Sequence, residues 1–234
     1  MTLLEIIIVL GIIGVIAAGV VILAQRAYDT KAMTDLANNA NTVRTAMKDA
    51  YGPTGHYPDL DSNDTLTITS GNYMNDPQSK TPIAKLMMLG KLSIDEAKNG
   101  ISGNFINVGP AAIGTSQEKG PDGNDRPNQR GYYIQLNGLN SEQCRNLLNQ
   151  MGNNWDYVQV TNNSPTGVYA DPGTAVQIDG ALVGATYTAN TGVGSITAVT
   201  GVFRTTANPL TLTPDLVMTA CSEGSSNSLI LGSR

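Results

Sequence analysis

Every residue from position 3 to position 24 is apolar or glycine except one, Glu5. As a helix that run measures roughly 33 Å at about 1.5 Å per residue, enough to cross the hydrocarbon core of a bilayer. A removable secretory signal would carry a basic stretch before the run and a small-residue cleavage site after it. Here only Met1-Thr2 precedes the run, and Gln25-Arg26 leads into a further helical pattern, so the segment reads as part of the mature protein. Met33, Leu36, Ala40, Val43, Met47 and Ala50 recur at three- and four-residue steps, with Arg26, Lys31, Asp35, Asn38, Asn41 and Lys48 on other faces. That is the pattern of an amphipathic helix. No proline interrupts it before Gly52-Pro53, so the two halves predict one helix of about 50 residues, roughly 75 Å long. The expected division is an apolar half (1–25), an amphipathic half (26–52) and a head (53–234).

Glu5 is the residue that a plain membrane anchor leaves unexplained. A carboxylate in an apolar helix costs roughly 2.5–3.5 kcal/mol near a bilayer centre and less near its edge. One reading is that Glu5 snorkels or compensates the start of its own helix. The other is a buried partner, the α-amine of a neighbouring chain. At about 4 Å and an effective dielectric near 20 that pair gains about 4 kcal/mol before desolvation. Such a pair would also fix the register between chains, since each carries one acid and one amine about a turn apart.

The rest of the 234 residues are rich in Gly, Asn, Thr and Ser, with 5% aromatics overall, the composition of a turn-rich β domain. Net charge is −5, charged residues are 14%, and no Lys/Arg cluster is present, which argues against nucleic-acid binding. Cys144 and Cys221 form no CxxC pair, so zinc and dithiol redox roles lack support. One disulfide closing a loop of about 78 residues is the expectation, and it implies an oxidising compartment.

Signals of chemistry are thin, and they point to no cofactor and no enzyme. Asp59-Leu-Asp-Ser-Asn63-Asp64 opens like a calcium loop, but Asp64 stands where glycine is needed and Ser70 where glutamate is needed, so it reads as a polar turn. Ser116-Gln-Glu-Lys119 spells SxxK in a Gly/Pro-rich loop instead of at a helix start. His56, the one histidine, reads as structural, and the sequons at Asn63 and Asn162 are common coincidences in an Asn/Thr-rich chain.

The run Met1-Thr-Leu-Leu-Glu5-Ile-Ile-Ile-Val-Leu10-Gly-Ile-Ile-Gly14 resembles the N-terminus of mature type IV pilins, and Met1 in first place resembles the type IVb class. Residues 19–27, Gly55-His-Tyr-Pro58, residues 89–99 and Gly138-Leu-Asn-Ser-Glu-Gln-Cys144 are similar to colonisation pilins of that class, in the same order. Residues from about 162 to 214 match nothing recognisable. The resemblance implies an α+β pilin fold, an N-methylated Met1, Glu5 as the assembly carboxylate and a Cys144–Cys221 disulfide. Methylation leaves a charged secondary amine, so the pairing argument survives it. The resemblance also implies a homo-oligomeric helical filament, an inner-membrane stage before assembly, and an assembly machinery with a minor pilin. Host surfaces or other bacteria are the implied targets, and an extracellular pilus on a Gram-negative bacterium the implied location. Many pilins have a proline near position 22, where this chain has Ile22. Gly11, Gly14 and Gly19 remain as weak points, each costing a helix up to about 1 kcal/mol relative to alanine. Loosening of the helix around 14–19 in a filament, or close helix packing there, are both consistent with them.

In the head, Ser93-Ile-Asp-Glu96 has capping-box form and Ser141 starts a short helix. Strand-like runs occupy 132–137, 157–161, 182–188, 195–202, 216–220 and 229–231, and residues 118–127 read as an exposed loop. An antiparallel sheet packed on the amphipathic half of the long helix follows, with Cys221 after a late strand. Two rival readings remain: a minor pilin or secretion pseudopilin, and a membrane-anchored extracytoplasmic binding protein with no use for Glu5.

Overall fold

The computed structural model describes residues 2–58, 64–119, 123, 125–162, 164–169, 176–182, 201–224 and 226–234. Helix α1 runs from Leu3 to Tyr51 without interruption and passes through a 3-10 turn, Gly52–Thr54, that ends at Gly55 with φ of 64°. Its first half is exposed on all sides, whereas Leu36, Ala37, Ala40, Val43, Ala46 and Met47 are buried in the head. The expected apolar stripe is therefore the docking face, widened by Ala37 and Ala46, whose small side chains let the head approach closely.

The head holds short helices α2 (Asp64–Thr67), α3 (Pro82–Met88), α4 (Ser141–Met151) and α5 (Pro214–Ala220). Its strands are β1 (Asn107–Ala111), β2 (Gln117–Lys119), β3 (Asp125–Pro127), β4 (Gly131–Leu139), β5 (Tyr157–Thr161), β6 (Gly201–Arg204) and β7 (Asn227–Ser233). Five strands form one antiparallel sheet in the order β1-β4-β7-β5-β6. Successive side chains of a strand point to opposite faces. Tyr132, Ile134, Leu136, Val158, Val160, Leu229 and Leu231 accordingly share the main core with α1. Tyr133, Tyr157 and Ile230 fill a second core on the other face with Ala111, Val176, Ile178 and Val202. A sheet covered on both faces explains why all of β7 and all of β4 but Gly138 are buried, the polar Gln135, Asn137, Asn227, Ser228 and Ser233 included.

The register of β4 on β7 shifts between Leu136 and Leu139, and Gly138 sits in that bulge with φ of +71°. A Cβ there would lie 2.8 Å from Thr166 Oγ1 and 2.9 Å from the Ser102 Cβ. Beside it, buried Asn137 donates to Asn104 Oδ1 and to the Val168 carbonyl and accepts from Ser102 Oγ, so the bulge ties two loops to the sheet. Gly138→Ala is expected to cost about 1–3 kcal/mol through strain and crowding together. A thermal melt of the full chain in detergent checks it, with a midpoint lower by several degrees.

Three expectations change. Residues 216–220 form helix α5 rather than a strand, because the Thr213 side chain caps the Leu216 N–H and Pro214 takes the first turn. Cys221 thus follows a helix. The Ser93–Glu96 box is made, with Glu96 Oε2 accepting from the Ser93 N–H at 2.9 Å, but it closes a single turn and starts no helix. The flanks of the 118–127 loop pair as an antiparallel ribbon of β2 on β3. The strand expected at 182–188 and all but the end of that at 195–202 lie outside the described residues.

Candidate functional site

Met1 lies outside the described residues, so the site is seen from its acidic side. Thr2 caps α1, its Oγ1 accepting from the Glu5 N–H at 3.4 Å, and Glu5 sits in the first helical turn. Around it Leu3, Leu4, Ile6, Ile7 and Ile8 are exposed, Leu3 to 80%. Among the described residues one helix, Leu3–Thr54, is long and apolar enough to cross a membrane, and its most apolar window buries none of its surface within the chain. The head therefore covers no part of that surface, which a bilayer or other helices must cover. Gly11, Gly14 and Gly19 lie on this continuous helix, and a Cβ at any of them would meet nothing within 4 Å in the single chain.

The amphipathic half of α1 is tied to the head through Arg44. Its guanidinium donates to the Asn154 carbonyl at 2.9 Å and to Ser233 Oγ at 3.3 Å, and lies 4.7 Å from the centre of the buried Trp155 ring. The Tyr132 hydroxyl donates to the Arg44 carbonyl at 3.0 Å, and burial pushes its phenol well above the usual range, so it stays a neutral donor. Arg44 was not singled out in the sequence, since one cation on an amphipathic helix looks like any other. Arg44→Ala is expected to destabilise the head by about 2–3 kcal/mol, the sum of a partly desolvated cation–π contact and charged hydrogen bonds. Trp155 fluorescence during denaturant unfolding reads the shift.

Cys144 on α4 and Cys221 after α5 form the expected disulfide, their Cα atoms 6.1 Å apart. Arg145 backs it, donating to the Cys221 carbonyl at 3.5 Å and pairing with Glu223 at 3.0 Å. Asn140 caps α4 in a reciprocal box with Gln143, which orients Cys144 inward. The remaining sequence motifs do not converge. His56 Nε2 lies 3.0 Å from Glu118 Oε1, and Lys119 pairs with Asp125 across the ribbon, so the SxxK lysine is engaged in β2 while Ser116 precedes the strand. The calcium-like turn over residues 59–63, and with it Asn63 of the first sequon, lies outside the described residues, as does the middle of the sequon at 162, whereas Asp64 and Thr65 belong to α2.

A single helix exposed along its apolar half, docked by its other half on an antiparallel sheet with a disulfide-bridged C-terminal region, defines the class as a type IV pilin. The crystal structure of TcpA, a type IV pilin from Vibrio cholerae El Tor biotype, superposes with a TM-score of 0.60 at 20% identity, covering 87% of this chain and 99% of that one. Toxin coregulated pilin of Vibrio cholerae is 35% identical over 161 residues, 68% of this chain, and a second such pilin from serotype O1 matches equally. The chain belongs to the type IVb pilins. The match spans 61% of the length of these curated relatives. No family model matches the chain.

Proposed function

We propose that this chain is the major structural subunit of a type IVb pilus. The apolar half of α1 buries in a filament core, Glu5 pairs with the N-methylated Met1 amine of a neighbour, and the heads cover the surface. The observation that carries this reading is an exposed apolar helix of membrane-spanning length with one carboxylate in its first turn. Burial of that surface against other copies drives assembly after the chain leaves the inner membrane. Head-to-tail contacts that do not close into a ring generate a helix. Residues 1–25, 26–52 and 53–234 then act as core, connector and surface. The role is structural rather than enzymatic, and the filament serves attachment, bacterial aggregation and host colonisation, with an assembly machinery and a minor pilin as partners.

Surface filaments sheared from the source bacterium test it by composition and by cryo-electron microscopy. This chain should be the bulk protein, with α1 bundled at the axis. A trace amount would make it a minor pilin or pseudopilin. In the same map, density for α1 over residues 14–19 distinguishes a loosened helix from tight packing at Gly14 and Gly19.

A further inference from the structure

Between α1 and the start of α4 the head leaves a cleft of about 400 Å³. Arg26, Asp29 and Thr30 line one wall, and Glu142, Gln143 and Asn146 line the other. Arg26 and Asp29 are one helical turn apart, where opposite charges commonly pair. Yet among the described residues neither of these two side chains, nor that of Glu142, makes a hydrogen bond or ion pair. One cation and two carboxylates thus face a shared space without neutralising one another. Asn146 donates to Met33 Sδ at 3.7 Å, which leaves its carbonyl oxygen free to accept.

The height of the cleft is set by the helix. Arg26 lies about 3 Å beyond Ala24, the end of the apolar run, and Thr30 about 9 Å, at 1.5 Å per residue. With residues 3–24 in the hydrocarbon core, Arg26 falls within the headgroup layer, which adds about 5–8 Å on each side of a bilayer, and Thr30 lies just beyond its outer edge.

We propose that this cleft holds the headgroup of a phospholipid whose phosphate carries a primary ammonium, an ethanolamine phospholipid; the assignment rests on the membrane-anchored stage proposed above. The Arg26 guanidinium takes the phosphate, as its planar fork suits two phosphate oxygens. The ammonium, with three N–H donors, goes to Asp29, Glu142 and the Asn146 carbonyl. A quaternary ammonium has no N–H to give these acceptors. An anionic headgroup without an ammonium would meet more negative than positive charge.

The test places the full chain in nanodiscs of phosphatidylglycerol mixed with phosphatidylethanolamine or with phosphatidylcholine, then counts lipids retained on release by native mass spectrometry. Phosphatidylethanolamine should be retained about five- to tenfold more than phosphatidylcholine. Arg26→Ala and Glu142→Gln should each remove most of that preference while the circular dichroism of the head stays unchanged. Equal retention of the two lipids, or an unchanged preference in both variants, overturns the site. Soluble phosphoethanolamine that binds the lipid-free chain as well as the phospholipid does overturns the lipid assignment. A chain that does not enter nanodiscs overturns the membrane stage as well, whereas one that enters without preference overturns the headgroup site alone.

Discussion

Glu5→Val is expected to abolish surface filaments while leaving the head folded and its disulfide formed. In an isolated subunit Glu5 is exposed and more than 30 residues from the first buried position of α1, so the head has no use for it. In a filament the apolar surface around it is covered, and a neighbour's amine is left without an acid. Removing one partner of a buried pair costs about 3–5 kcal/mol, because the surviving charge stays buried and unpaired. That loss recurs at every subunit contact, so a deficit of this size turns elongation unfavourable rather than slow. Valine raises the apolarity of the run, so membrane retention should persist or increase. Counting filaments by electron microscopy beside an immunoblot of the membrane fraction separates the two effects. Glu5→Asp, one methylene shorter, should give fewer filaments rather than none. Abundant filaments from Glu5→Val would falsify the pairing mechanism and leave the apolar surface as the sole driver.

The second large effect concerns Cys144 and Cys221. Their bond closes a loop with a sequence separation of 77, and the loop contains β5, β6, α5 and residues 183–200. Chain-entropy arguments assign such a closure about 4–5 kcal/mol, against a total of about 5–15 kcal/mol for a typical domain. The paired substitution Cys144→Ala/Cys221→Ala should lower the melting midpoint by about 10–15 °C in a head of this size. The loss should be largest in the C-terminal region, because α5 touches the rest of the head mainly through α4. Amide exchange of the full chain in detergent would show α5 and β6 opening first. Uniform loss of protection would mean that the sheet itself depends on the bond. Arg145 and Ser141, which hold Glu223 beside the bridge, keep the ends near one another when it is absent, so the measured cost should fall at the lower end of that range.

What the sequence displayed and what it concealed follow from how each signal arises. Helix α1 was legible to within two residues because forty-nine positions repeat one message, apolar all round and then apolar on one side. Strands β4, β5 and β7 were legible because each centres on aromatic, β-branched or leucine residues and is flanked by Gly, Asn or Pro. Strand β1 was missed: Asn-Val-Gly-Pro-Ala reads as a turn, yet Pro110 is tolerated on an edge strand, and Gly109 is needed because a Cβ there would lie 2.5 Å from the Tyr133 ring. Helix α5 was hidden by the β-rich look of residues 216–219, although Thr213-Pro214-Asp215 is a helix start that could have been read. Glu5 stood out because it is the one carboxylate in an apolar field. The Arg26 cleft did not, since its eight lining residues come from two segments more than a hundred positions apart. No local pattern announces that kind of neighbourhood.

One consequence remains in the continuity of α1. The helix that carries the exposed apolar half is the same rod whose Leu36, Val43 and Met47 are sealed into the head, and no loop separates the two. A tug on the head therefore reaches residues 3–24 through main-chain hydrogen bonds in series, with Arg44 and Trp155 as the rivet that stops the rod from sliding out. A fibre made of such parts would carry tension along its helices instead of through loops, and it would yield by parting subunits or stretching helix before the heads came off.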